Sequence, residues 1–81
     1  MTKEQLKHLV ETGREIEFDY KGKQYSITYY LDNREDYISF CEFYKETLDV
    51  KDVDTLWNST YKNMNVGEIL SSLAEKDMDI I

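Results

Sequence analysis

The chain has 81 residues and a single cysteine, Cys41, so its length supports one small core and its composition offers neither an internal disulfide nor a cysteine-rich zinc site. Its 17 acidic and 10 basic side chains give a net charge of -7, which argues against direct binding to nucleic-acid phosphates, an activity that relies on clustered Lys and Arg. No stretch approaches the roughly 18 apolar residues of a membrane helix, and Met1-Thr2-Lys3-Glu4-Gln5 has no apolar signal core, so a single small cytoplasmic domain over residues 1–81 without a membrane partner is expected.

Thr2 and Gln5 have the spacing of a capping box, and Leu6, Leu9 and Val10 follow at helical intervals. The spacing predicts a helix from Lys3 to Thr12, ended by Gly13 in the left-handed conformation that glycine adopts without steric penalty. From Arg14 to Tyr20 the period changes to two, with Ile16, Phe18 and Tyr20 alternating with Glu15, Glu17 and Asp19. Beyond Lys21-Gly22, Tyr25, Ile27, Tyr29 and Leu31 alternate with Ser26, Thr28 and Tyr30. A two-residue turn at Lys21-Gly22 pairs Phe18 with Tyr25 and Ile16 with Ile27, which joins the apolar faces; a longer loop would split them.

Asp32-Asn33-Arg34-Glu35-Asp36 reads as a polar turn before a third strand over Tyr37 to Tyr44. Tyr37, Phe40, Cys41, Tyr44 and Leu48 also lie at helical spacing, but the aromatic content and the preceding turn favour a strand. Asp52 is placed to cap a second helix whose apolar stripe runs through Val53, Leu56, Trp57, Thr60, Tyr61 and Met64. Asn65, with Glu68 three residues on, caps a third helix from Val66 to about Lys76. Residues 77–81 form either a short edge strand or a frayed end. The resulting expectation is an α+β fold, a three-stranded antiparallel β-meander with one N-terminal and two C-terminal helices in the order α-β-β-β-α-α.

The run from Glu15 to Ile27, EIEFDYKGKQYSI, the segment Ile38 to Tyr44, ISFCEFY, and Gly67-Glu68-Ile69-Leu70 resemble segments of short uncharacterised proteins of Gram-positive bacteria and their prophages. The resemblance spans residues 13 to 76 and implies a bacterial cytoplasmic or phage setting. It carries over no catalytic or binding residue.

The chemistry legible in the chain is sparse. His8 falls on a helix face pointing away from a strand-borne Cys41, so no nucleophile and base are brought together. The glycines at 13, 22 and 67 are isolated and make no phosphate loop. Asp49, Asp52 and Asp54 fail as a calcium loop, because Lys51, Leu56 or Trp57 lands on a position that needs a ligand or glycine; helix capping accounts for them. Glu15, Glu17 and Asp19 project from one strand face about 7 Å apart, a spacing open to shared acid/base work, yet no second constellation accompanies them. The sequence therefore predicts no catalytic residue, cofactor, metal or small-molecule ligand.

Seven Tyr, three Phe and one Trp are a large aromatic share for such a chain, and Tyr30 faces away from the predicted core. Two functional expectations follow. The first is a small non-enzymatic protein-interaction module, with a protein partner or a second copy, that uses an aromatic and acidic sheet face. The second is a phage-type inhibitor or nucleic-acid mimic in which Glu15, Glu17, Asp19, Glu35 and Asp36 stand in for phosphates before a basic groove. The partner-binding residues are then Glu15, Glu17, Asp19, Tyr30, Glu35 and Asp36.

Overall fold

A computed structural model describes residues 1–32 and 35–81, except for the side chain of Asp32; the predicted turn residues Asn33 and Arg34 lie outside this description. The predicted capping box forms as spaced: Thr2 Oγ1 accepts from the Gln5 amide at 3.2 Å, and Gln5 Oε1 accepts from the Thr2 amide at 2.8 Å. It starts α1, Lys3–Glu11, which buries Leu6, Leu9 and Val10. Gly13 at φ 72 turns the chain into β1, Ile16–Tyr20.

Lys21 and Gly22, at φ 50 and 78, make the tight two-residue turn into β2, Lys23–Asp32. The register is the predicted one, Phe18 with Tyr25 and Ile16 with Ile27. The third strand is present as β3, Glu35–Glu42. It starts earlier than expected because Asp32 pairs with Glu35 and Leu31 with Asp36, so most of the polar run is strand and not turn. It also ends earlier, since the chain reverses through Tyr44, held at φ 66, with the Lys45 amide donating to the Glu42 carbonyl at 3.0 Å.

The three-stranded meander is thereby corrected to part of a larger sheet. A short β4, Thr47–Val50, pairs with β3, and the tail forms β7, Met78–Ile80, which pairs with β1. The result is a five-stranded antiparallel sheet in the order β4-β3-β2-β1-β7. Glu15 and Ile81 exchange backbone hydrogen bonds of 2.8 and 3.3 Å, and Arg14 Nε donates to the Ile81 carbonyl at 2.9 Å. These contacts resolve the choice for the tail in favour of a strand.

The second helix is shorter than its apolar stripe. Asp52 caps α2, Val53–Trp57, by accepting from the Thr55 amide at 2.7 Å. The helix stops there because Asn58 Nδ2 and Ser59 Oγ bond back to the Asp54 and Thr55 carbonyls, at 3.0 and 2.6 Å. Residues assigned to the helix by periodicity instead make a small hairpin of β5, Thr60–Tyr61, and β6, Met64–Asn65, whose turn holds Lys62 and Asn63 at φ 49 and 67. Asn65 caps α3, Val66–Ser71, as expected, accepting from the Glu68 amide at 2.9 Å. That helix ends before Lys76, where the Ser71 and Ser72 hydroxyls take the Glu68 and Ile69 carbonyls, and a 3-10 turn over Glu75–Asp77 leads into β7.

The three helices pack on one side of the sheet. Leu6 from α1, Leu56 from α2 and Val66, Ile69 and Leu70 from α3 join Ile16, Phe18, Tyr25, Ile27 and Phe40 in one buried cluster. Much of the aromatic excess is spent here: the Tyr25 ring stacks between Phe18 at 5.5 Å and Phe40 at 5.8 Å, with Tyr61 edge-on to Phe40 at 5.2 Å. Leu31, expected on the core face, is on that side but 75% exposed, because the β2–β3 hairpin extends past the helical layer. Among the described residues, no helix is long and apolar enough to cross a membrane.

Candidate interaction surface

Strand register decides which side chains meet on the side of the sheet away from the helices. Pairing Asp79 with Glu17, Glu17 with Ser26, Ser26 with Cys41 and Cys41 with Thr47 aligns one row across all five strands. On one side of this row lies Asp19 with Gln24. On the other side lie the rows of Thr28, Ser39 and Asp49, and then Tyr30 with Tyr37.

Among the described residues, no layer covers these positions. Asp19, Gln24, Tyr30, Glu35, Thr47, Asp49 and Asp79 are exposed, and Glu17, Ser26, Thr28, Tyr37 and Cys41 are half-buried by their neighbours. Ser39 is buried between Thr28 and Asp49 on the flanking strands. The open face thus has a floor of small hydroxyl and thiol side chains, carboxylates on β1 and β7 with Asp49 on β4 and Glu35 at the far end of the hairpin, two tyrosines toward that end, and Phe43 beside Gln24 at the other.

Glu15, Glu17 and Asp19, grouped by the sequence pattern, do share this face: Glu15 precedes β1 and accepts from Thr28 Oγ1 at 3.4 Å, while Glu17 and Asp19 take outward positions. Tyr30 also faces outward, 46% exposed, with its ring stacked on Tyr37 at 5.3 Å and an interplanar angle of 25°. Glu35 has the parity of the open face but stands at the far end of the hairpin. Asp36 is separated from the group. It pairs with Leu31 on the helix side, and its carboxylate accepts a hydrogen bond from the Tyr29 hydroxyl, which holds that phenol above its ordinary pKa.

Asp49, Asp79 and Tyr37 belong to the face and are missing from the sequence-predicted set. Asp79 arrives with β7 and Asp49 with β4, two strands too short to announce themselves by periodicity. Alternation within Thr47-Leu48-Asp49-Val50 was the available signal. At the outward positions of β1, β2, β3, β4 and β7, the described residues include no Lys or Arg.

Two depressions bear on chemistry. One, of about 80 Å³, lies between Glu17, Asp19, Gln24, Phe43, Asp77 and Asp79, well below the roughly 300 Å³ at which ligand pockets begin. The other, of about 530 Å³, lies on the helix side among Val10, Tyr29, Ile38, Lys51 and Val53. Three of its acids are engaged, Asp36 by Tyr29, Asp52 by the Thr55 amide, and Asp54 by Lys3 and Lys7 at 3.1 and 3.4 Å, and Glu11 is a fourth acid in its lining. Cys41, whose thiol lies 3.5 Å from the Ser26 hydroxyl on the open face, and His8, exposed on α1, sit in different layers. Among the described residues, no group of three or more His, Cys, Asp or Glu side chains is arranged to hold a metal ion.

Comparison with protein-family models, with curated proteins and with solved structures found no match.

Proposed function

We propose that the chain is a non-enzymatic protein-interaction module working through the open sheet face, with Glu15, Glu17, Asp19 and Tyr30 among its contact residues. The observation that carries this reading is the one-sided layering, in which every helix packs on the same face and leaves the other uncovered. Antiparallel sheets commonly leave one face to water. This one adds a stacked tyrosine pair, and tyrosine provides contact area and a hydroxyl at low rotamer cost.

The charge pattern favours a different protein over a second copy. Two such faces pressed together would set Glu17, Asp19, Asp49 and Asp79 against carboxylates of the same sign. The test is affinity capture from the native cell with the wild type, the Glu15→Gln, Glu17→Gln, Asp19→Asn triple variant, and Tyr30→Ser. A partner retained by wild type and lost by folded variants supports the face; equal retention by all three removes it.

A narrower second reading, a nucleic-acid mimic that occupies a basic groove, draws on the same one-sign pattern. It predicts that the captured partner binds nucleic acid, that the chain displaces that nucleic acid, and that the complex weakens steeply with salt.

A further inference from the structure

The open face is polar along its length, and this polarity specifies what can lie on it. Glu15, Glu17, Asp19 and Asp79 gather toward β1 and β7 beside Phe43, while Tyr30 and Tyr37 stack at the end of the β2–β3 hairpin, and Asp49 on β4 and Glu35 past the stack add to the negative charge. Between them the floor is Ser26, Thr28, Ser39 and Cys41, short side chains that let another backbone come close. We infer that the occupant is a Lys- or Arg-rich segment of another protein, lying with its cations over the β1–β7 carboxylates and an apolar or aromatic side chain against the Tyr30–Tyr37 stack.

The inference rests on the proposed use of this face and adds the chemistry and direction of its partner. Exposed carboxylates unbalanced by any outward Lys or Arg among the described residues present a potential of one sign, which attracts cations and rejects anions. The stacked rings offer a π face to an arginine plane or an aromatic ring. Tyr30 is four residues beyond Ser26, the partner of Glu17, so the two subsites are about 14 Å apart along the strand at about 3.4 Å per residue. An extended segment spans that gap with about four residues.

The test uses a synthetic peptide that carries an Arg-Arg-Arg run and a Trp about four residues beyond it, a spacing set by the strand rise. It is titrated into the isotopically labelled chain and followed by amide chemical shifts. The expected footprint covers Glu17, Ser26, Cys41 and Asp79, with Tyr30 and Tyr37 shifting only when Trp is present. Binding should weaken at least about tenfold in the Glu17→Gln, Asp19→Asn, Asp79→Asn variant, and also between low and moderate salt. Gln24→Lys adds a cation at an exposed outward position without removing a charge, and should weaken binding in the same direction.

A control peptide with Gln for each Arg separates the two ideas. Equal affinity and footprint for the control would overturn the basic partner while leaving the face as a docking surface. Shifts spread over the helix-side acids Glu4, Glu11 and Glu68, or no shifts with either peptide, would overturn both.

Discussion

The hydroxyl of Tyr61 accepts a hydrogen bond from the Glu42 amide at 3.0 Å and donates one to the Glu46 carbonyl at 2.7 Å. One buried phenol thereby clamps both ends of the turn between β3 and β4 to the β5–β6 hairpin, while its ring fills the space beside Phe40 and Tyr25. Tyr61→Phe keeps the ring and strands the Glu42 amide. The expected loss is about 1 to 2 kcal/mol of unfolding free energy, read from denaturant midpoints. Faster hydrogen exchange at Glu42 than at the core of β2 would locate the effect, and an unchanged midpoint would contradict the clamp.

Gly67 is conformationally ordinary, yet it has no room for a side chain. A β-carbon there would lie 2.6 Å from the Trp57 carbonyl oxygen and 2.7 Å from Trp57 Cδ1 and Nε1. Propensity alone says that Gly67→Ala should strengthen α3 by roughly 1 kcal/mol. The packing says the reverse. With α2 pressed on this spot, the variant should be destabilised by about 1 to 3 kcal/mol, and a stabilised variant would show that the helices can move apart freely.

Such contacts explain where the sequence was readable. Both helix caps at Asp52 and Asn65, the capping box at Thr2 and the β1–β2 register follow from local chemistry, in which a few neighbouring residues decide the backbone. The end of α2 did not, because Val53, Leu56, Trp57, Thr60, Tyr61 and Met64 keep one helical stripe while Asn58 and Ser59 break the backbone beneath it. Lys62-Asn63 turns the chain without a glycine, so the local turn signal was Asn63 alone, set against a six-residue stripe. β4 and β7 take their places through partners distant in sequence, so neither the alternation in Thr47–Val50 nor the option of an edge strand at the tail placed Asp49 and Asp79 on the acidic face. Asp36 was grouped with Glu35 by adjacency, but adjacent strand residues point to opposite sides.

Acid sensitivity should follow two carboxylates at the start of α2. Hydrogen bonds from the Thr55 side chain and amide hold Asp52 below its ordinary pKa, and the Lys3 ammonium does the same for Asp54. A depressed folded-state pKa gives stability that is complete above the unfolded value, about 4, and is lost as pH falls through the folded value. Midpoints should therefore be flat from neutral pH to about 5 and fall below about 4. Asp52→Asn keeps a capping oxygen and removes the titration, so its acid limb should be shallower; an identical limb would assign the acid loss elsewhere.

The alkaline limb has the opposite sign. The Tyr29 phenol, donating to the Asp36 carboxylate, is raised above its ordinary value. Its contribution is complete below about pH 10 and lost as pH rises through the folded value. Tyr29→Phe should flatten the alkaline fall.

The β4 edge carries a device against self-pairing. Facing residues in a joined sheet share a side, so a two-fold pairing of two β4 strands must set one residue opposite itself. Centring on Asp49 opposes two aspartates, whereas centring on Leu48 opposes Leu48 with itself and leaves Lys45 and Lys51 of the copy beyond the strand ends. The first register places like charges across the new ladder, the second only flanks it with them, and larger shifts run off a strand of four residues. The wild type should keep a monomer mass by light scattering as concentration rises. Asp49→Thr removes the repulsion of the first register, worth about 0.2 to 1 kcal/mol, and should raise the dimerisation constant by up to about fivefold. Dimerisation of the wild type with β4 amides protected at the contact would show that the charges do not guard this edge.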